Sequence, residues 1–387
     1  MAKIKIKYDL TLMMAVTAIG SNSLMLSPIL TDVAVGLGTR PINIGTSITI
    51  YNLSTALAAL FLAPRIDAIG IYKSLQTALL IFCLGILLSL ISLSSGMLII
   101  GQGLAGIGAG FGLPAIYLAA SKIAEKGKET VSVGRVLTGW SLAMVLAIPL
   151  ASFVVAHSNW RIAYAILLVI SLLAQLSLNS LKSLASLHHH DLDKVQTARG
   201  FGRGILTPFS IPGAKPLLAV NFLYMAAFYG AYSYIGTHLK LTYGVDSTGA
   251  GIAVLLYGVG FGVANFANRY LQIFGLARTA SLTMLGIGII YFLLQFRGLP
   301  LQVLYIFCLG WGFVNHLGLN AIISSLGDLK CAIPGHLMGM NSVVTYLGGA
   351  CGTAAFGWVF EMQSYNLAIL GSAGALFLSF LILRRAL

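Results

Sequence analysis

Charged side chains are so widely and evenly spaced in this chain that they divide it into apolar segments of membrane-spanning length. A charge at mid-bilayer is costly, and a helical span needs about 20 apolar residues. The uncharged stretches are 10–31, 41–64, 74–121, 136–160, 162–181, 216–239, 247–268, 279–296, 298–327, 331–360 and 362–383. Ten of them suit one helix each. The stretch 74–121 is double length and carries a turn signal, Ser94-Ser95-Gly96, at its centre. Division there predicts twelve transmembrane helices in an all-α membrane protein. Only 9% of the 387 residues are charged and 58% are hydrophobic, against roughly 25% charged in a soluble domain.

Six predicted spans precede residue 182 and six follow residue 214, which predicts six-helix bundles at 1–181 and 215–387 joined by a polar linker at 182–214. With the N-terminus placed in the cytoplasm, nineteen of the 23 Lys and Arg residues fall on the inside. Arg40, Arg161, Lys240 and Arg297 fall outside, the asymmetry that the positive-inside rule requires. Both termini are therefore expected in the cytoplasm, and the bilayer is the cytoplasmic (inner) membrane. The basic start, Met1 to Lys7, leads into an apolar run too long for a signal peptide and reads as a retained first span. The net charge of +13 belongs to the loops and not to a nucleic-acid surface, since no basic run is interleaved with aromatics.

Glycine is abundant and falls inside the spans. The pairs Gly106/Gly110, Gly258/Gly262 and Gly348/Gly352 have the four-residue spacing that lets helices approach closely. The Gly-x-Gly runs lie within apolar segments, without the preceding strand of a dinucleotide loop. The four cysteines lack metal-site spacing, and the His188–His190 run with Asp191 and Asp193 reads as part of a solvated linker. HExxH, phosphate-loop and paired-carboxylate patterns are missing, so neither an enzyme, a cofactor nor a bound metal is expected.

Between the second and third spans stands Ala-Pro-Arg-Ile-Asp-Ala-Ile-Gly-Ile-Tyr-Lys, residues 63–73. It resembles the loop signature of the major facilitator superfamily, with Asp67, Gly70 and Lys73 matching in kind. The equivalent loop of the second half keeps Arg269 and Gly275. Residues 101–110, with Gln102 in place of the usual arginine, and residues 143–151, with Pro149, are similar to motifs of the drug and sugar efflux branch, whose members include arabinose-efflux-permease-like proton antiporters. The resemblance implies a 6 + 6 pseudo-symmetric fold with a central cavity lined by spans one, four, seven and ten. It also implies a conformational latch at Asp67, Gly70, Arg269 and Gly275. Pro149 removes a backbone hydrogen bond and is expected to kink the fifth span.

Helical spacing on those spans offers the candidate substrate contacts. They are Asn22, Ser23 and Gln102 in the first half, with Ser27 beside them, and Asn221, Tyr224, Phe228, Tyr232, Asn315, His316 and Asn320 in the second. His316 can exchange a proton near neutrality or contact substrate instead. Asp32, at the end of the first span, is the second candidate for proton coupling. With no Arg or Lys placed mid-span, the expected substrate is a small, neutral or amphiphilic organic solute. The expected protein is a monomeric proton-antiport exporter. An uncoupled facilitator or importer and a transporter-like sensor are the alternatives.

Overall fold

In the computed structural model, the described residues are 2–125, 128–181, 207–268, 273–295, 298–329, 334–362 and 365–386. They contain twelve long helices. The first six are α1 (Ala2–Gly36), α2 (Pro41–Phe61), α3 (Ile71–Leu90), α4 (Ser95–Ile123), α5 and α6 (Trp160–Ser177). Here α5 comprises Glu129–Leu142 and Ile148–His157, joined by a π-helical turn at Ala143–Ala147. The last six are α7 (Ala214–Tyr243), α8 (Ser247–Val263), α9 (Leu276–Leu293), α10 (Leu301–Gly327), α11 (Pro334–Glu361) and α12 (Tyr365–Ala386). The double-length stretch divides where expected, with Ser94 capping α4 by accepting from the Met97 N–H. The His188–His190 run lies outside the described residues.

Eleven of the twelve helices are long and apolar enough to cross a membrane by composition; α7 is the exception. Its sequence carries Asn221, Tyr224, Tyr229, Tyr232, Ser233, Tyr234 and Thr237, and every one of these is buried. A helix enclosed by other helices has no lipid to satisfy, so it tolerates polar groups that meet partners. Lipid-facing helices carry the opposite pattern, as in α6, where Val169, Leu172, Leu173 and Leu176 are exposed.

Glycine sets how closely the rods approach. On α4, a methyl group at Gly106 or Gly110 would stand 2.4 Å and 2.1 Å from the Tyr51 and Thr55 carbonyl oxygens of α2. On the other side of α4, Gly108 meets α3 at the Phe82 nitrogen. Gly348 and Gly352 face the Phe222 and Ala226 carbonyls of α7 in the same way. The pair Gly258/Gly262 behaves differently from the expectation. Gly258 packs on Met144 of α5, whereas Gly262 has nothing within 4 Å, because it lies next to the helix end where α8 gives way to the 3-10 turn Ala264–Ala267. The close approach of α8 to α10 rests instead on Gly260 and Gly312, which stand against the Leu309 and Tyr257 carbonyls.

Two glycines show an internal repeat in the backbone. Gly70 opens α3 with φ 91° and ψ 141°, and Gly275 opens α9 with φ 81° and ψ 142°. Such angles are strained for residues with a Cβ, so the loop in each half requires glycine at the same place. The side chain of Asp67 and the whole of Arg269 lie outside the described residues. At Pro149 the preceding π-helical turn widens the helix, which makes room for a proline ring that has no N–H to donate.

A methyl at position 312 would lie 1.9 Å from the Tyr257 carbonyl oxygen. Gly312→Ala is therefore expected to destabilise the protein by about 1–3 kcal/mol, read as a lowered melting temperature in detergent. Gly262→Ala is expected to leave the melting temperature unchanged.

Candidate functional site at the junction of the helix sextets

The candidate residues fall into three groups. In the first sextet, Asn22 Nδ2 donates to Gln102 Oε1 at 3.0 Å. The two N–H groups of Gln102 Nε2 are shared in turn among Asn22 Oδ1 (3.3 Å), Ser89 Oγ (3.0 Å) and Tyr164 Oη (3.2 Å). All four side chains are buried, so this network ties α1, α3, α4 and α6 together within one sextet. A buried amide needs such partners, since leaving one unpaired costs about 1–3 kcal/mol.

The second group belongs to the other sextet. Asn221 on α7 donates to Asn341 Oδ1 and Thr345 Oγ1 of α11, both at 2.8 Å. Tyr224 donates to the Asn315 carbonyl at 3.1 Å, and Asn315 Nδ2 donates to Tyr257 Oη at 2.6 Å. Phe228 stacks on Tyr232 and Tyr257 and meets Trp311 edge-on. The aromatic face read from α7 thus closes on α8 and α10, and Tyr232, Tyr257 and Trp311 line a void of about 10 Å³. His316 Nε2 lies 2.7 Å from Asn320 Nδ2 and 3.3 Å from Asn268 Nδ2. Two amide donors on Nε2 place the proton of the neutral ring on Nδ1, which is buried without a hydrogen-bond partner among the described residues.

The third group joins the sextets along α1 and α7. Ser23 Oγ meets Tyr229 Oη at 3.1 Å, Ser27 donates to the Tyr232 carbonyl, and Tyr232 Oη donates to the Leu24 carbonyl at 3.3 Å. Thr31 donates to Thr237 at 3.3 Å. The seam ends in an ion pair between Asp32 and Lys240, with Ser247 of α8 bonded to both. Gly236 allows the contact, as a methyl there would lie 2.4 Å from the Ser27 carbonyl oxygen. Beside it, Gly45 of α2 receives the Tyr234 hydroxyl, and Arg40 pairs with Glu361 at the end of α11. On the other flank, Ser152 of α5 abuts Gly251 of α8. These contacts gather toward the end of the bundle opposite the N-terminus.

The structure brings Asn22 to Gln102 and His316 to Asn320. It places Ser23, Ser27, Tyr232 and Asp32 on the seam. Sequence reasoning missed Ser89, Tyr164, Tyr257, Asn268 and Asn341 as partners, and Lys240 as more than a loop charge. Spacing was the available signal for Lys240, which continues the stripe of Tyr229, Tyr232 and Gly236 on α7.

Twelve membrane-length helices in two sextets, meeting along a polar seam, define a multi-pass membrane transporter rather than an enzyme. The chain belongs to the Major Facilitator Superfamily, whose profile matches residues 10–353. It is 25% identical to the uncharacterised MFS-type transporter YwfA of Bacillus subtilis (strain 168), over 92% of this chain and 86% of that protein. It is 24% identical to AraJ of Escherichia coli (strain K12), named as a transporter, over 95% and 91%. A Pasteurella multocida (strain Pm70) protein bearing the name "Probable sugar efflux transporter" is 26% identical, over 91% and 84%. In fold, the chain is similar to the human organic anion transporter MFSD10 (TETRAN), with a TM-score of 0.70 and 14% identity over 98% of this chain and 99% of that one.

Lys240 and Asp32 are 11% and 30% exposed, while Arg40 and Glu361 are 73% and 36% exposed. Lys240→Met is expected to destabilise the seam by about 1–3 kcal/mol, because it strands a partly buried carboxylate. Arg40→Ala should cost less than about 1 kcal/mol. Melting curves of the two variants in low salt would show the difference.

Proposed function

We propose that this protein is a secondary active transporter that moves a small, mostly neutral or amphiphilic organic solute by alternating access. The bundles 1–181 and 215–387 are the moving bodies and 182–214 is the cytoplasmic linker. The seam from Ser23 to Lys240 carries this reading. Its hydrogen bonds cross from one sextet to the other at one end of the bundle, so opening that end means breaking them together. The loops holding Asp67 and Gly70, and Arg269 and Gly275, are the latch at the opposite end.

Our reading of the coupling is proton antiport with efflux across the inner membrane, in a monomer with both termini cytoplasmic. His316 is the favoured proton carrier, as a buried imidazole whose Nε2 would take up the proton once the Asn268 and Asn320 amides turn away from it. Asp32 is the second candidate, since protonation would cancel its pairing with Lys240. The substrate contacts proposed are Asn22, Ser23, Gln102, Asn221, Tyr224, Phe228, Tyr232, Asn315, His316 and Asn320, exposed to solute as the seam opens. The name of the Pasteurella relative agrees with efflux. An uncoupled facilitator is the second reading, favoured by the position of Asp9 and Asp32, whose partners Arg135 and Lys240 lie near opposite ends of the bundle.

Spin labels on Thr31→Cys and Thr237→Cys, with native cysteines replaced, test alternation without a known substrate. Two distance populations are expected in proteoliposomes, with a ratio that moves when a pH gradient is imposed. A single invariant distance would rule out alternating access, and two populations blind to the gradient would favour the facilitator. His316→Gln keeps an acceptor for Asn268 and Asn320, so it should fold and still show both distances. It should lose the response to the gradient; a response equal to wild type removes His316 as the proton carrier.

A further inference from the structure

From Tyr224 to Thr237 almost every residue of α7 is buried, but the first turns of the helix are not covered in the same way. Lys215 and Ala219 are exposed, and Phe222 and Leu223 are half-buried. Their spacing puts all four on one face of the helix. With Phe209 of the preceding turn and Val344 of α11, they line an open groove of about 530 Å³. Sites that hold small molecules span roughly 300–1,000 Å³. The lining is apolar except for Lys215 at one end.

Depth and charge select what fits. Lys215 is the last charge before the uncharged stretch 216–239, so it stands at the level of the lipid headgroups, where a lysine attracts anionic lipid. It makes no ion pair among the described residues, whereas Lys128, Arg135, Lys240 and Arg40 each have a carboxylate partner. From Lys215 to Leu223 the helix rises roughly 12 Å toward the bilayer centre, and the apolar part of the groove follows that rise. One cation at headgroup depth above an apolar trough complements a molecule with an anionic head and a hydrocarbon tail. Water in the trough would meet only apolar walls, which an acyl chain covers without that cost.

We infer that this groove holds one acyl chain of an anionic phospholipid of the surrounding bilayer, with the lipid phosphate on the Lys215 ammonium. The lysine meets the phosphate as a point charge. A phosphocholine headgroup carries its own cation and gains less from Lys215, so the site discriminates by headgroup as well as by tail. The groove is separate from the candidate substrate contacts, none of which lines it. Asn221, the nearest of them in sequence, is turned instead to Asn341 and Thr345. The inference rests on the place of the chain in a membrane and not on the direction or coupling of transport.

Native mass spectrometry of the full-length protein, titrated in detergent with dipalmitoyl phosphatidylglycerol or dipalmitoyl phosphatidylcholine, tests the site. The first phosphatidylglycerol is expected to bind saturably and about fivefold tighter than phosphatidylcholine, the effect of one lysine at headgroup level. Lys215→Gln should bring that ratio close to one, and Lys215→Arg should restore it. Lys128→Gln removes an exposed cation that pairs with Glu125 and should leave the ratio unchanged. Ala219→Trp, which fills the trough, should weaken the first adduct of both lipids. Lys215→Gln alters only an exposed side chain, so it keeps the test decisive if Ala219→Trp does not fold. Equal binding of the two lipids overturns the site, as does a ratio that survives Lys215→Gln or falls equally with Lys128→Gln. Decanoate, a soluble single-chain acid, should not displace phosphatidylglycerol. Displacement at decanoate concentrations similar to those of the lipid would make the groove a solute site and overturn the lipid assignment.

Discussion

Within hydrocarbon, a polar group must find its partner inside the protein, and most of this structure follows from that requirement. Backbone groups meet it by forming helices. Side chains meet it by choosing which helix they ride on. The amides and phenols of the chain concentrate on rods enclosed by other rods, α7 above all, and pair there with groups from neighbours. Gln102 reaches three helices, and Asn221 reaches two side chains of α11. Lipid-facing rods carry leucine, valine and phenylalanine instead.

The same requirement shapes the junction of the sextets. Apolar surfaces gain nothing from meeting in lipid, because the tails are as apolar as leucine. Contact between the halves must come from close packing and hydrogen bonds. Glycine supplies the first at Gly45, Gly236, Gly251 and Gly258, and serine, threonine and tyrosine supply the second from Ser23 to Thr237. Individually weak hydrogen bonds suit a surface that opens and closes, since each contributes only about 0.5–1.5 kcal/mol. The charged pair is placed at the end of the stripe, where water lowers the cost of separating Asp32 from Lys240.

Charge spacing made the helix count legible, and α7 shows why it did so better than apolarity. Lys215 and Lys240 bracket the segment as sharply as any other pair, while its tyrosines depress its hydropathy below that of a lipid-facing span. Residue types in the polar clusters were legible too, since His316 and Asn320 stack one turn apart and are hydrogen-bonded. Partners from other helices were not. Ser89 and Tyr164 meet Gln102 only because α3 and α6 pack beside α4, and Asn268 reaches His316 from the irregular end of α8. The Gly258/Gly262 pair illustrates the same limit, as a four-residue spacing records a face but not whether a neighbour covers its whole length.

Sidedness within the structure follows from where the seam ends. Its hydrogen bonds run outward from Ser23 and Tyr229 to Asp32 and Lys240, and Arg40 with Glu361 lies beyond them. At the N-terminal end the ionic contact of Asp9 with Arg135 stays within one sextet, joining α1 to α5, and so places no bond across the boundary. Between α7, the turn Thr207–Ser210 and α11, that end also carries a groove of about 530 Å³, with Phe209, Lys215 and Phe222 among its lining. The polar contacts across the boundary are thus small, neutral hydrogen bonds for most of the seam, with the ion pair of Asp32 and Lys240 at its end. Among the described residues, many small polar contacts therefore join the sextets at the end away from the N-terminus, where each weak bond can be broken and remade at little cost.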